Sequence, residues 1–306
     1  MHILCDKQAL IDAVGNVQRG VSGKSTLPAL EGILLRATGS SLFLAGYDLE
    51  MGITTTIEAQ VNEPGEIVLT ARLFGDIVRR LPGEDVTLSS DDKYNTLIRS
   101  GMTEFTIMGI SAGEYPELPS VSDGVGLTLP QNLLRSMIRQ TLFAVAQTDA
   151  RPVHTGVQFE LEEGVLRLVA VDGTRLAMRK EEVKSGETMQ FVVPGKTLSE
   201  VLKLLSDEDT PAALAVGRRH IVLEIGGYAV ISRLLDGEFL PYRKAIPQGS
   251  TTTIKVGTRS LTNCRINAAT IATTVKANKP YIKYSRLSVC AGCHISGSTP
   301  VSTASP

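Results

Sequence analysis

The chain has 306 residues, 42% of them hydrophobic and 21% charged, with 31 Lys and Arg against 32 Asp and Glu. This length and composition predict a globular protein of two or three domains. No stretch approaches the ~18 uninterrupted apolar residues of a membrane helix, and the start resembles no secretion signal, so we expect a cytoplasmic protein. Four scattered cysteines argue against the disulfide framework of a small secreted domain.

The charge is divided unevenly along the chain. Glu238 is the last acidic residue, so residues 1–238 hold 22 basic and 32 acidic side chains, a net charge of −10. A body of this sign should not adhere to nucleic acid indiscriminately. Any contact with DNA therefore requires a local basic surface.

The first predicted elements form a unit of helix, strands, helix and strands. An amphipathic helix carries Leu10, Ile11, Val14 and Val17 on its apolar face. Residues 32–61 then give two strand-like halves around the turn at residues 38–40, and a second helix is predicted from about residue 71 to residue 81. Two strands over residues 96–110, with a glycine turn between them, complete the unit.

The same order returns 124 residues later, at one constant spacing without a gap. The second unit has a helix with apolar residues from Leu133 to Val145, strands that turn at residues 163–164, a helix over residues 196–205, and two final strands. We predict two copies of an α+β domain, each with two helices on one face of a curved antiparallel sheet. The predicted domains are residues 1–119 and 126–247, with linkers at 119–126 and 247–252. The matched positions are Leu10/Leu134, Val14/Ile138, Gly32/Gly156, Leu44/Leu168, Asp48/Asp172, Ile77/Val201, Leu81/Leu205 and Tyr115/Phe239.

The solvent faces of these helices carry basic residues. On the helix at 71–81 the apolar set is Leu73, Phe74, Ile77, Val78 and Leu81, which leaves Arg72, Gly75, Asp76, Arg79 and Arg80 facing outward. An ordinary solvated helix face explains any one of these cations. Their recurrence on equivalent helices of an acidic body favours a surface that follows phosphates without reading bases. The other cations of this set are Arg135, Arg139, Lys196 and Lys203.

Six segments of the sequence resemble segments of a known protein family. "STLPALEGILLRA", "AGYDLEMGI", "GEYPELP", "RPVHTGVQFELEEGVLRLVAVDGTRLAM", "VVPGKTLSEVLKLL" and "LLDGEFLPYRKAIP" occur in the order and spacing of the bacterial sliding clamps, the beta subunits of DNA polymerase III. The chain resembles this family from residue 1 to about residue 263. The resemblance implies three successive copies of one domain and a homodimeric, head-to-tail ring, with helices lining the hole and sheets forming the outer wall.

The resemblance also implies a function. The ring encircles duplex DNA independently of sequence and tethers the replicative polymerase, so the protein is a processivity factor with no catalysis, cofactor or metal of its own. "GVSGKST" at residues 20–26 lacks the spacing of a phosphate-binding P-loop, and the resemblance instead places Lys24 at the edge of the hole. The implied DNA-binding residues are Lys24, Arg72, Arg79, Arg80, Arg135, Arg139, Lys196 and Lys203.

A pocket for partner peptides is implied between the second and third domains. There the polymerase and the clamp loader insert short peptide motifs. In the family, part of this pocket comes from the end of the third domain. The pair Leu240-Pro241 departs by one residue from the order of the family's usual Phe-Pro pair. The matching residues are Arg151, Gly156, Val171, Gly173, Thr174, Leu176, Leu240 and Pro241.

The pattern fails in the third unit. Residues 252–264 begin it, but from Arg265 onward there are five basic residues, no acidic ones and many Ser and Thr. We expect a divergent, disordered tail over 265–306 that arises from a displaced reading frame near residues 263–265. The alternatives are a genuine short variant, or a truncated clamp fragment that cannot close a ring.

The tail contains "CAGCH", the letters of a c-type haem attachment motif. Cys290, Cys293 and His294 would require a pocket around the macrocycle and usually a second axial ligand, yet only a dozen residues follow. A zinc site would need a fourth ligand such as Cys264. An electron-transfer protein is therefore the remote alternative, and we interpret the motif as an accident of the tail.

Overall fold

The computed structural model describes residues 1–121, 124–148 and 151–246, together with three two-residue strands, β18 (Thr253–Ile254), β19 (Thr274–Val275) and β20 (Ile282–Lys283). The predicted tail, the "CAGCH" motif and the start of the third unit otherwise lie outside the described residues. No helix in the described ranges is long and apolar enough to cross a membrane.

The first unit has nine strands and two helices. In chain order they are β1 (His2–Asp6), α1 (Lys7–Val17), β2 (Gly32–Thr38), β3 (Ser41–Tyr47), β4 (Met51–Glu58), β5 (Gln60–Glu63), β6 (Gly65–Thr70), α2 (Ala71–Arg80), β7 (Asp85–Ser90), β8 (Asn95–Ser100) and β9 (Thr103–Met108).

The second unit repeats this order without a counterpart of β5 among the described residues. It contains β10 (Val125–Pro130), α3 (Gln131–Arg139), β11 (Gly156–Glu162), β12 (Val165–Val171), β13 (Leu176–Glu182), β14 (Met189–Pro194), α4 (Gly195–Leu204), β15 (Pro211–Val216), β16 (His220–Ile225), β17 (Tyr228–Arg233) and the short helix α5 (Tyr242–Ala245).

Local sequence explains where the helices begin and which face they bury. The side chain of Asp6 accepts a hydrogen bond from the backbone N–H of Ala9 at 2.7 Å, which caps α1. Leu10, Val14 and Val17 follow at helical spacing and are fully buried against the sheet. The apolar faces of the helices and the inner faces of the sheets share one core, as the predicted two-layer arrangement requires.

The strands form three antiparallel sheets apart from one short parallel pair. The first has the order β5-β1-β7-β8-β9, and the third runs β14-β11-β12-β13 and continues into β20, β19 and β18. The second sheet has eight strands in the order β10-β15-β16-β17-β4-β3-β2-β6. Because β17 of the second unit pairs with β4 of the first, this sheet joins both units.

The structure corrects the constant spacing. An offset of 124 residues relates β1 through α2 of the first unit to β10 through α4 of the second. Equivalent strand pairs then match Val86 with Ala212, an offset of 126, and Ile98 with Leu223, an offset of 125. The loop after α4 is two residues longer than the loop after α2, and the turn between β15 and β16 is one residue shorter than its counterpart. The alignment is therefore gapped after the second helix.

The offset of 124 returns beyond the last strand. Tyr115 packs with Ala29, Ala45 and Val68 in a small apolar cluster outside the main core. Phe239 packs in the same way with Val153, Val169 and Val192, which are the residues 124 positions later. These two satellite clusters show that the loops as well as the strands are repeated.

Two details of the sequence interpretation were wrong. Leu73, placed in the apolar set of α2, is 48% exposed, whereas Gly75, placed on the outer face, is buried. A Cβ atom at Gly75 would lie 2.9 Å from Oε1 of Gln18, so the neighbouring side chain covers this position. The sequence interpretation also placed two strands in each strand-like region, where the structure has three. The missed boundaries are the turns at Asp48, between β3 and β4, and at Asp172, between β12 and β13.

Candidate nucleic-acid interface

The predicted helix cations lie on three of the four long helices, α2, α3 and α4. Within each unit the two helices pack together, α1 with α2 and α3 with α4, and their buried faces lie on the sheets. Their solvent faces are therefore on one side of each unit. Arg72, Arg79 and Arg80 on α2 are exposed, as are Arg139 on α3 and Lys196 and Lys203 on α4.

The cations of α2 lower the pKa of a carboxylate on the same helix. Asp76 on the same helix has its pKa lowered, first by the hydrogen bond from Arg79 and then by the charges of Arg79, Arg80 and Arg72. The Arg79–Asp76 distance is 2.7 Å. Arg79 and Arg80 also occupy the last turn, where the helix dipole favours positive charge.

Two predicted contacts on α4 are already engaged in ion pairs. Lys203 lies 2.7 Å from Glu200, one turn earlier. Lys196 lies 2.6 Å from Asp48 of the first unit, whose side chain is only 10% exposed. Asp48 is a residue that sequence reasoning matched to Asp172 without assigning it a partner.

Arg135 differs from the other cations because it supports the fold. Its guanidinium lies 3.0 Å from Asp207 and donates hydrogen bonds to the carbonyl oxygens of Leu202 and Leu205. These carbonyls end α4, where the last turn of a helix has no internal partners. Arg135 therefore caps α4, and its surroundings leave it half-buried rather than outward-facing.

The remaining cations have no ion pair within the ranges that the structure describes. Arg72, Arg80 and Arg139 are exposed on their helices, and Lys24 is exposed on the loop after α1. Such side chains can reach phosphate oxygens without first giving up a carboxylate partner.

The predicted peptide site is brought together only in part. Val171, Leu176 and Leu240 meet in the satellite cluster of Phe239 and Tyr242. Gly156 is buried, and a Cβ atom there would lie 2.5 Å from the carbonyl oxygen of Val193, so tight packing accounts for this glycine.

The polar members of the set occupy turns at the rim of that cluster. Gly173 has φ +85° in the turn between β12 and β13, where Thr174 and Arg175 bond to the Asp172 carboxylate. Arg151 is exposed before a short 3₁₀ turn, and Pro241 is exposed before α5. Of the eight residues, the structure therefore groups Val171, Leu176 and Leu240 as an apolar patch, with the turn of Gly173 and Thr174 directly before the strand of Leu176.

Sequence reasoning missed a polar network beside this patch. The Tyr242 hydroxyl donates to Glu160 at 2.7 Å, and Arg243 pairs with Glu160 and, at 3.0 Å, with Glu162. Burial and then the Glu160 hydrogen bond raise the pKa of Tyr242. In the sequence, this network was indicated by glutamates that alternate with core residues along β11.

A cavity of about 1070 Å³ adjoins the network, but of the eight predicted residues only Leu240 and Pro241 line it.

Comparisons with known proteins agree with this architecture. The family model for the N-terminal domain of the DNA polymerase III beta subunit matches residues 1–119, and the model for its central domain matches residues 128–241. The beta sliding clamp of Halalkalibacterium halodurans is 35% identical over 272 residues, which cover 85% of this chain and 72% of that protein. The clamp of Bacillus subtilis is 34% identical over 282 residues, 89% of this chain and 75% of the relative.

Solved structures give the same result. The crystal structure of the Bacillus subtilis sliding clamp superposes with a TM-score of 0.80 at 34% identity, covering 82% of this chain and 68% of that one. A putative DNA polymerase III beta subunit from Eubacterium rectale gives 0.79 at 35% identity, with 81% and 68% covered. The chain therefore belongs to the DNA polymerase III beta subunit family, the bacterial sliding clamps.

Proposed function

We propose that this chain acts as a non-catalytic processivity factor in DNA replication. In an assembled ring its helices face duplex DNA, and the ring slides while it tethers the replicative polymerase in the cytoplasm. The observation that carries the proposal is the repeated placement of exposed cations on α2, α3 and α4 of a body whose residues 1–238 have a net charge of −10. Such a surface follows phosphates locally without making the whole protein adhere to DNA.

The proposed partner site is the apolar patch of Val171, Leu176 and Leu240 with its polar rim. Polymerase and clamp loader would insert short peptides there, with apolar side chains on the patch and polar groups at the Asp172 turn. We assign no catalytic role to any residue of the chain.

Retention on circular DNA tests this function. Chain loaded on a nicked circular plasmid should remain bound through gel filtration and should be released when the plasmid is cut once, because a ring is retained by topology. Equal loss from circular and linear DNA would overturn the proposal, and equal retention would show ordinary affinity instead. A blocked linear DNA with bulky ends is the matched control, since it should restore retention.

A further inference from the structure

A glutamine interrupts the apolar cluster beneath the loop at residues 234–241 of the second unit. Gln158 lies on β11, directly between Val169 of β12 and Val192 of β14 in the register of the sheet. It is 2% exposed, and its Oε1 atom has no hydrogen-bond partner among the described residues. A buried polar group without a partner destabilises a fold, so a glutamine at this position requires an explanation.

The first unit shows which side chain the fold accepts at this position. The offset of 124 residues makes Leu34 the counterpart of Gln158, and Leu34 also lies between two apolar residues, Ala45 and Val68. Leu34 is 4% exposed inside the satellite cluster of Tyr115. Packing within the repeat is therefore satisfied by an apolar side chain, and it does not explain a carboxamide in the second unit.

Gln158 lines the cavity of about 1070 Å³ beside the loop at residues 234–241. The cavity borders β14 and β11, whereas Val171 and Leu176 of the apolar patch lie on β12 and β13, further along the sheet. Leu240 borders both. The volume exceeds the range of about 300–1,000 Å³ that is usual for small-molecule sites, so it suits a peptide segment. Its apolar lining comes mainly from β14 and the loop.

The carboxamide of Gln158 matches the chemistry of a peptide main chain. Its oxygen accepts and its NH₂ group donates hydrogen bonds, and each peptide group carries one donor and one acceptor. The last torsion of a glutamine side chain has a broad energy minimum, so either end of the carboxamide can turn toward the cavity. A peptide main chain in the cavity would therefore supply the partner that Gln158 lacks among the described residues.

A second cavity of about 600 Å³ extends the first and shares Gly217, Arg218 and Asp236 with it. Arg219 and His220 also line this second cavity. Arg218 and Arg219 are exposed on the turn between β15 and β16 and have no ion pair within the ranges that the structure describes. Two guanidinium groups beside one carboxylate leave room for a second carboxylate, and guanidinium groups bind carboxylates through strong paired hydrogen bonds.

The larger cavity adds no net charge apart from the shared residues. Arg243 is bonded to Glu160, and Lys244 and Glu238 offset each other. Together the two cavities are lined by four Lys and Arg and three carboxylates. They are therefore locally positive in a body whose residues 1–238 have a net charge of −10.

We propose that the two cavities form one groove that binds an extended, acidic peptide segment of a partner protein. A main-chain peptide group of the segment bonds to Gln158, and an Asp or Glu side chain of the segment pairs with Arg218 and Arg219. Apolar side chains between them occupy the lining from β14 and the loop. The inference does not rest on the proposed function, because it uses neither the helix cations nor the assembly of a ring.

Thermal unfolding of the full chain tests the role of Gln158 when no partner is present. Gln158→Leu introduces the side chain that the first unit has at the same position. The unfolding midpoint should therefore rise by about 2–4 °C, because an unpartnered polar group is removed from an apolar cluster. An unchanged or lower midpoint would show that the carboxamide supports the fold, and this would overturn the proposal.

A peptide array tests the ligand. The probes are acetylated decapeptides of Gly, Ala and Leu with zero to three Asp residues, attached through their carboxyl ends. We expect the full chain to bind the Asp-containing probes, and Gln158→Leu or Arg218→Glu with Arg219→Glu should each raise the Kd about tenfold or more. Leu176→Ser, a change in the apolar patch, is the matched control and should bind like wild type.

Three outcomes of the array would overturn the proposal. These are no binding to any acidic probe, equal binding to acidic and neutral probes, and a loss of binding that Leu176→Ser causes but Gln158→Leu does not. The last result would assign the probes to the apolar patch. The retention of the chain on circular DNA is measured separately, so its failure would overturn the proposed function and leave the peptide groove standing.

Discussion

At the residue scale, equivalent positions in the two units differ in their contacts and in their exposure to solvent. Lys196 is held by Asp48 across the joint between the two units, while its counterpart Arg72 is exposed. Thr197 is buried in a hydrogen bond with Ser232, while its counterpart Leu73 is exposed. The side chain alone does not determine these states. Lys196 depends on a carboxylate of the other unit, whereas Thr197 is covered within its own unit by Ser232.

Asp172 gives a pH-dependent prediction at this scale. Burial raises its pKa, but hydrogen bonds from Thr174 and Arg175 outweigh burial and lower it below the usual value. A lowered folded-state pKa contributes stability above the unfolded pKa of ~3.9, and this contribution is lost as the pH falls through the folded value. We expect Asp172→Asn to reduce the free energy of unfolding by about 1 kcal/mol at neutral pH, and by less in strong acid.

Urea unfolding at neutral and strongly acidic pH measures this difference. Asp92→Asn, on an exposed turn, is the matched control and should have little effect at either pH. An Asp172→Asn effect of equal size at both pH values would contradict the assigned role of the carboxylate.

At the scale of elements, the helices separate their cations into paired and unpaired groups. Arg80 on α2 is exposed without an ion pair in the described ranges, whereas Lys203 on α4 bonds both oxygens of Glu200, at 2.7 and 2.8 Å. A phosphate contact by Lys203 must compete with that carboxylate. Exposure on a helix face therefore does not by itself predict equal DNA contacts.

We expect Arg80→Ala to reduce the slope of log K against log salt by about 0.9 for duplex DNA, the value for one lost phosphate contact. Lys203→Ala should reduce it by less than half as much. Fluorescence anisotropy over a salt series measures both slopes. Equal reductions would show that the Glu200 pair does not persist beside DNA.

At the scale of the whole molecule, the eight-stranded sheet makes the two units mechanically dependent. Ile53 and Val230 are fully buried where β4 meets β17. We expect Ile53→Ala to cost ~2–5 kcal/mol and to increase amide exchange in β12, which belongs to the other unit. Leu69→Ala, fully buried in the first unit but away from the joint, should leave exchange in β12 closer to wild type.

Hydrogen exchange followed by mass spectrometry distinguishes these outcomes. Faster exchange confined to the first unit in Ile53→Ala would mean that the units unfold independently across the joint.

The reading frame of the coding DNA is a further property of the whole molecule. The sequence interpretation expects a displaced frame near residues 263–265. Sequencing from codon 255 onward should then reveal a third unit in another frame, and its absence from every frame would favour a genuine short variant.

The sequence by itself determined the repeat, the amphipathic helices and most of the strand turns, because these depend on local periodicity and on glycines such as Gly101 and Gly226 with positive φ. It also identified the family through six ordered segments. Tertiary structure decided which cations are available, since Arg135 caps a distant helix end and Lys196 finds Asp48 148 positions away. It also decided that Leu73 is exposed, because solvent access depends on which residues pack against the helix, and the periodicity of the local sequence does not specify them.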